Sequence, residues 1–109
     1  MNWTIHFYNE RVIGEIKSWP TGIYADFLRL AEMMSLHGAN LRLPHSRSLG
    51  DGLFELRCKG AEGIARAFYC TRVGRKIVVL HSFVKKTQET PDKELKIARQ
   101  RLKEVKRNE

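Results

Sequence analysis

Cysteine and proline are scarce in this chain, and long apolar runs are missing. The two cysteines, Cys58 and Cys70, belong to no CxxC pair. That argues against a thiolate zinc site. In a reducing compartment they are expected to be small apolar residues near strand ends, not a disulfide. No apolar stretch approaches the roughly 20 residues that cross a bilayer, so no membrane partner is expected. The N-terminus, Met1-Asn2-Trp3-Thr4-Ile5, has no basic region followed by an apolar segment. A secretory signal is therefore not expected, and the cytoplasm is the expected compartment. The chain also lacks a P-loop, GxGxxG, HExxH and GxSxG. Those absences argue against the nucleotide-binding, zinc-protease and serine-hydrolase classes they mark. His6, His37, His45 and His81 have no metal-ligand spacing, and no metal or cofactor is expected. No internal repeat or low-complexity tract is present.

What is present is a foldable chain with an uneven positive charge. A length of 109 residues, 42% of them hydrophobic, suits a single domain spanning 1–109. The formal net charge is +8, and its distribution is lopsided. Residues 1–71 hold 8 basic and 7 acidic side chains, whereas residues 72–109 hold 12 basic and 5 acidic ones. Such asymmetry favours a polyanionic partner, without saying whether it is RNA, DNA, an anionic membrane or an acidic protein.

Patterning gives the order β-α-α-β-β-β-α, an α+β domain with helices packed on an antiparallel sheet. Trp3 to Tyr8 alternate as a strand. A short helix follows from Asn9-Glu10 to about Trp19, with Pro20 as punctuation. Ile23, Phe27, Leu30 and Met34 form an apolar stripe on a helix from about Thr21 to His37, and Gly38 suits its C-terminal cap. Residues 39–52, with Pro44, Gly50, Asp51 and Gly52, read as a long loop carrying Arg42, His45 and Arg47. Leu53–Cys58, Ile64–Thr71 and Lys76–Phe83 are strands joined by short turns, hence antiparallel neighbours. The unbroken run Ile77-Val78-Val79-Leu80 predicts a strand covered on both faces. Thr90 and Pro91 predict the cap and first position of a last helix with the seam Leu95, Ala98, Leu102 and Val105.

Strand alternation sorts the side chains that carry chemistry. Leu53, Glu55 and Arg57 share one face of their strand. Arg66 shares a face with Ile64 and Phe68, with Tyr69 opposite. His81 is expected beside Ile77 and Val79. Arg57 and Arg66 lie on neighbouring strands and can converge. Lys85 and Lys86 reach the same region if the chain bends after Phe83. A cation such as Arg66 inside an apolar strand needs a partner or a solvated cleft. Arg57 has Glu55 and Glu62 as candidate surface partners.

The stretch from Asp51 to Arg57, then Arg66 and Tyr69, then Val78-Val79-Leu80-His81-Ser82-Phe83-Val84-Lys85-Lys86-Thr87-Gln88-Glu89-Thr90-Pro91, resembles the phage-derived HigB-like branch of the RelE/ParE toxin superfamily. Ala98 and Arg101 extend the match. The resemblance implies a RelE-like fold and a toxin that cuts messenger RNA on the ribosome without a metal. The 2′-hydroxyl would attack the adjacent phosphate and the 5′-oxygen would leave. It implies Arg66 as the central catalytic arginine and Lys86 as a second phosphate cation; Lys85, Arg57 and His81, read from their own placement, are expected in the same site. Arg47, His45, Lys59 and Arg72 are expected to contact RNA. The family's C-terminal tyrosine or histidine has no counterpart, since residues 87–109 contain neither. The proton carrier is then His81, His45, Tyr69 or a lysine of lowered pKa. The expected partners are the ribosome, messenger RNA and a cognate antitoxin, a small helix-turn-helix protein. The alternatives are a ParE-like gyrase inhibitor without catalysis and a basic RNA-binding module.

Overall fold

The computed structural model describes residues 2–86 and 89–108. Strand β1 (Thr4–Phe7) is followed by helices α1 (Glu10–Lys17) and α2 (Thr21–His37). Strands β2 (Ser46–Gly50), β3 (Leu53–Gly60), β4 (Gly63–Arg72) and β5 (Lys76–Lys85) come next, and helix α3 (Asp92–Arg107) ends the chain. One five-stranded sheet results, in the order β1-β5-β4-β3-β2. The β2 to β5 strands pair antiparallel, while β1 lies parallel to β5, so the sheet is mixed.

Local chemistry explains most element ends. Asn9 caps α1 by accepting the Val12 N–H at 2.9 Å, the usual role of such a side chain. The N-terminus of α2 follows Pro20, which makes no side-chain cap. Glu62, from the β3–β4 turn, supplies one instead, accepting the Gly22 N–H at 3.0 Å. Those amide contacts hold the Glu62 carboxyl below its ordinary pKa. The contact requires a glycine at 60, because a Cβ there would lie 2.7 Å from the backbone of Gly22 and Ile23.

The sheet is covered on both sides. Val12, Ile16, Ile23, Phe27, Leu30 and Met34 of the first two helices bury against Leu56, Ala65, Ala67, Tyr69, Ile77 and Val79. Ala98 and Leu102 of α3 close the other face over Leu53, Phe68, Val78, Leu80 and Phe83. Burying each aliphatic side chain of this size contributes about 1.5–3 kcal/mol. Among the described residues, no helix is long and apolar enough to cross a membrane.

Four expectations change. Part of the expected loop 39–52 is strand β2, paired with β3 through Ser46↔Leu56 and Arg47↔Glu55. Its polar, exposed sequence hid it, because an edge strand with only one neighbour buries little. Thr90 does not cap α3. Pro91 holds the cap position without a side-chain bond, and the Thr90 hydroxyl donates to Glu55. The β5 strand runs on to Lys85 with no bend after Phe83. Finally, the register slips between Phe68↔His81 and Tyr69↔Val79, leaving Leu80 as an extra residue. That bulge turns His81 away from Ile77 and Val79 and onto the α3 side. Thr87 and Gln88, part of the resembling stretch, lie outside the described residues.

Candidate active site

The register lays the polar side chains of the α3 side out in rows. Arg47, Glu55, Phe68 and His81 stand across β2, β3, β4 and β5 in one row. Arg57, Arg66 and Phe83 form the next, and Lys59, Ile64 and Lys85 the one beyond. Rows on one face lie two residues apart along a strand, roughly 7 Å. Arg57 and Arg66 are therefore direct cross-strand partners, an arrangement that repels unless a counter-charge is supplied.

Glu55 supplies it. Its side chain is 1% exposed, and its Oε1 lies 3.3 Å from Arg57 Nη1 and 3.7 Å from Arg47 Nη2. Its Oε2 lies 3.8 Å from Arg66 Nε and accepts the Thr90 hydroxyl at 3.3 Å. One buried carboxylate thus faces three guanidinium groups, and the cluster keeps a positive excess.

Arg66 is the cation most removed from solvent, 4% exposed. Its Nη1 donates to the Ala65 carbonyl at 3.2 Å. Its Nε is buried with no hydrogen-bond partner among the described residues. Burial and the neighbouring Arg57 lower its pKa, with Glu55 opposing them. An arginine stays charged at any physiological pH all the same. Lys85 also has a lowered pKa, from burial and then from Arg66, again opposed by Glu55 and reinforced by Arg57 and Arg47. Four cations therefore act on one patch of space. Such a place favours an anion whose charge exceeds one, because Glu55 already neutralises part of the cluster.

His81 borders this patch. Its Nε2 lies 2.7 Å from Glu94 Oε1 at the start of α3, and its ring stacks on Phe68 and Phe83. The α3 helix holds the bulge in place as well, because Arg101 Nη1 donates to the Leu80 carbonyl at 2.7 Å. The same guanidinium lies 4.6 Å over the Tyr8 ring.

The other expected site residues are distributed unevenly. Arg47 joins the cluster from β2. Lys86 follows β5 as an exposed residue beside Lys85. His45 and Lys59 lie on the β2–α2 side of Arg57, where the His45 carbonyl accepts the Arg57 N–H at 2.8 Å and Asp26 accepts the Lys59 N–H at 2.9 Å. Arg72 stands at the far end of β4, about 20 Å along the strand from Arg66, with Nη2 on the Asn108 carbonyl. The geometry separates it from the cluster. Tyr69 is on the opposite face, fully buried, donating to the Ala39 carbonyl at 2.5 Å. Burial pushes its phenol up to about 12, so it is no proton carrier for this site. Glu62 caps α2 and is not the partner of Arg57.

Glu55, Glu94 and Thr90 have roles that sequence reasoning missed. Alternation already placed Glu55 on the face of Arg57, and that was the available signal for its central position. Glu94 and Thr90 carried none, because their contacts depend on how α3 packs.

The sequence profile described as phage derived protein Gp49-like matches residues 14–103. The chain belongs to that family. A comparison with curated protein sequences returns no match. Among solved structures, this Gp49-like protein is similar to a chain of the archaeal RelE-RelB complex from Pyrococcus horikoshii OT3. The TM-score is 0.58 at 17% identity, over 77% of this chain and 96% of that one. The Gp49-like protein therefore has a RelE-like fold, as its sequence led one to expect.

Proposed function

We propose that this Gp49-like protein is the toxin of a toxin–antitoxin pair and an endoribonuclease that cuts messenger RNA on the ribosome. The observation that carries the reading is the buried Arg66, with an open Nε donor, in a cluster with Arg57, Arg47 and Lys85 around Glu55. Two like-charged arginines set directly opposite one another are a cost to the fold. A polyanionic transition state makes such an arrangement useful.

The reaction needs three things: alignment, charge stabilisation and proton transfer. The RNA 2′-oxygen forms a bond to the adjacent phosphorus while the bond to the 5′-oxygen breaks. Negative charge grows on the non-bridging oxygens in between. Arg66 and Arg57 face those oxygens, and Lys85 and Lys86 approach from the end of β5. The 2′-hydroxyl gives up a proton and the leaving 5′-oxygen takes one. His81 is the proton carrier in this reading. It borders the cluster, and in the tautomer that donates Nε2–H to Glu94 its Nδ1 keeps a lone pair that can accept a proton. Because arginine and lysine supply the charge, no metal is required.

The likeness to a chain solved in a RelE-RelB complex supports an antitoxin partner for this protein. The basic groups around Arg66, Lys85 and the last helix would then meet an acidic antitoxin surface.

The test is cleavage of a reporter messenger RNA in a translation extract, with and without ribosomes. Wild type should cut only the ribosome-bound message. Arg66→Ala should slow cutting by roughly a hundredfold to a thousandfold, the usual loss for one preorganised charge donor. Cutting by Arg66→Ala at the wild-type rate would show that the cluster is not the site. Growth arrest with no RNA cut would point to a gyrase-directed inhibitor instead.

A further inference from the structure

Tyr8 lies outside the cation cluster, yet its contacts converge on the bulge just ahead of His81. It follows strand β1, which pairs with β5 from Lys76 to Val79. Beyond Val79, β5 has β4 on one side and, among the described residues, no strand on the other. The bulge opens at that same step, with Leu80 as the extra residue, fully buried. A bulged residue loses its place in the ladder, so its buried carbonyl needs a donor from elsewhere. Tyr8 serves two successive carbonyls here. Its own N–H donates to the Val79 carbonyl at 2.8 Å. Its ring centre lies 4.6 Å from the guanidinium carbon of Arg101, whose Nη1 donates to the Leu80 carbonyl at 2.7 Å. The Tyr8 hydroxyl donates to Glu104, which neighbours Arg101 on the α3 surface by helical spacing. One helix thus grips the phenol by its face and by its oxygen. The bond to Glu104, and then burial, hold the phenol above its ordinary pKa. It therefore stays a protonated donor and does not carry protons itself.

We propose that Tyr8 is a positioning residue for the cleavage step, its ring fixing the Arg101 guanidinium on the Leu80 carbonyl and so setting the direction of His81. The inference rests on the reading of His81 as proton carrier and adds what aims it. The Leu80 carbonyl and the His81 N–H belong to one planar peptide unit. Holding that carbonyl therefore fixes the plane from which His81 departs. The far end of the side chain is held as well, by Glu94 on its Nε2. His81 is thus gripped at two points, and both grips come from α3. Arg101 is the longer and looser of the two, because an arginine has much rotamer freedom to lose. An aromatic face beneath the guanidinium removes part of that freedom, since the planar cation is attracted to it. Tyr8 also packs against both apolar cores. A purely packing role would cost stability and leave the direction of His81 as it was.

The experiment compares Tyr8→Phe, Tyr8→Leu, Arg101→Ala and the double variant of the last two. The His81 imidazole is followed by nitrogen NMR of the purified protein without RNA. Cutting of ribosome-bound reporter message is followed as kcat and KM. Tyr8→Phe keeps the ring and should keep the His81 signals and kcat close to wild type. Tyr8→Leu should shift those signals and lower kcat roughly tenfold to a hundredfold, the loss that a small misplacement of a reacting group brings. KM should hold, because the phosphate-binding cations are untouched. In Arg101→Ala protein, Tyr8→Leu should shift His81 no further. Tyr8 is half-buried and every variant keeps its N–H, so the fold should persist. Tyr8→Met, unbranched and adaptable, replaces Tyr8→Leu if that variant does not fold. Unchanged His81 signals in Tyr8→Leu overturn the proposal. A shift that adds in full to that of Arg101→Ala overturns it too, because Tyr8 then acts by packing alone. Shifted signals with wild-type kcat overturn the positioning role and leave the nuclease standing. Absence of ribosome-dependent cutting by wild type overturns the reading of His81 itself, and the proposal falls with it.

Discussion

Glu55 and Arg66 show how a residue acquires its role from neighbours that are distant in sequence. Both are charged residues on interior strands, both are buried, and each makes the other tolerable. An unpaired buried charge costs several kcal/mol, which is why such groups occur with partners. Lys85 is tuned by the same cluster. Its pKa lies below the ordinary lysine value through burial and the nearby arginines. In the proposed site its protonated form is the one that binds phosphate. It loses its proton as pH rises through that lowered value, before a free lysine would. Affinity for a phosphate-bearing dinucleotide should therefore begin to fall earlier in the alkaline range for wild type than for Lys85→Arg. Matching pH profiles for the two proteins would show that Lys85 does not touch the phosphate. At this scale much of the site was legible in the sequence. A lone arginine in the apolar strand Ile64–Thr71 demanded an explanation, and alternation set it beside Arg57. His81 was misplaced, because a bulge shifts every later side chain by one position and leaves no mark in composition.

The elements divide into those that make the frame and those that complete the site. The two N-terminal helices pack on the face away from the cluster, and their apolar spacing made them readable, α2 over the span Thr21–His37. The α3 helix was readable from its seam but not in what it does. It sends Arg101 to the carbonyl of the bulged Leu80 and Glu94 to His81. Thr90, just ahead of it, reaches Glu55 instead of capping the helix. Strand β2 was hidden because Leu49 is its one apolar residue among four polar or small ones, which gives no apolar rhythm. The role of α3 predicts a linked loss. Arg101→Ala leaves the Leu80 carbonyl without its donor and should cost about 1–3 kcal/mol in urea unfolding. It should also lower the cleavage rate, because the bulge sets the direction of His81. Loss of stability with an unchanged rate at a temperature where the variant is folded would separate the bulge from the chemistry.

At the scale of the whole molecule, the charge asymmetry becomes a spatial one. Helix α3, from the basic half of the chain, covers the face of the sheet that carries the Arg66 cluster, and strand β5 of the same half brings Lys85 to that cluster. An acidic antitoxin surface approaching that side would be steered by the field, which affects association rate more than final affinity. Association with the cognate antitoxin should slow strongly as salt is added. A flat response would mean docking on an apolar surface such as the first two helices. What the cation cluster does to RNA is written in the chemistry of the cut ends. Ribosome-bound message cut by this protein should carry a 2′,3′-cyclic phosphate on the upstream fragment and a 5′-hydroxyl on the downstream one. A 3′-hydroxyl with a 5′-phosphate would mean that water, and not the RNA's own 2′-oxygen, attacks the phosphorus, and would rule out the proposed role of the Arg66 cluster.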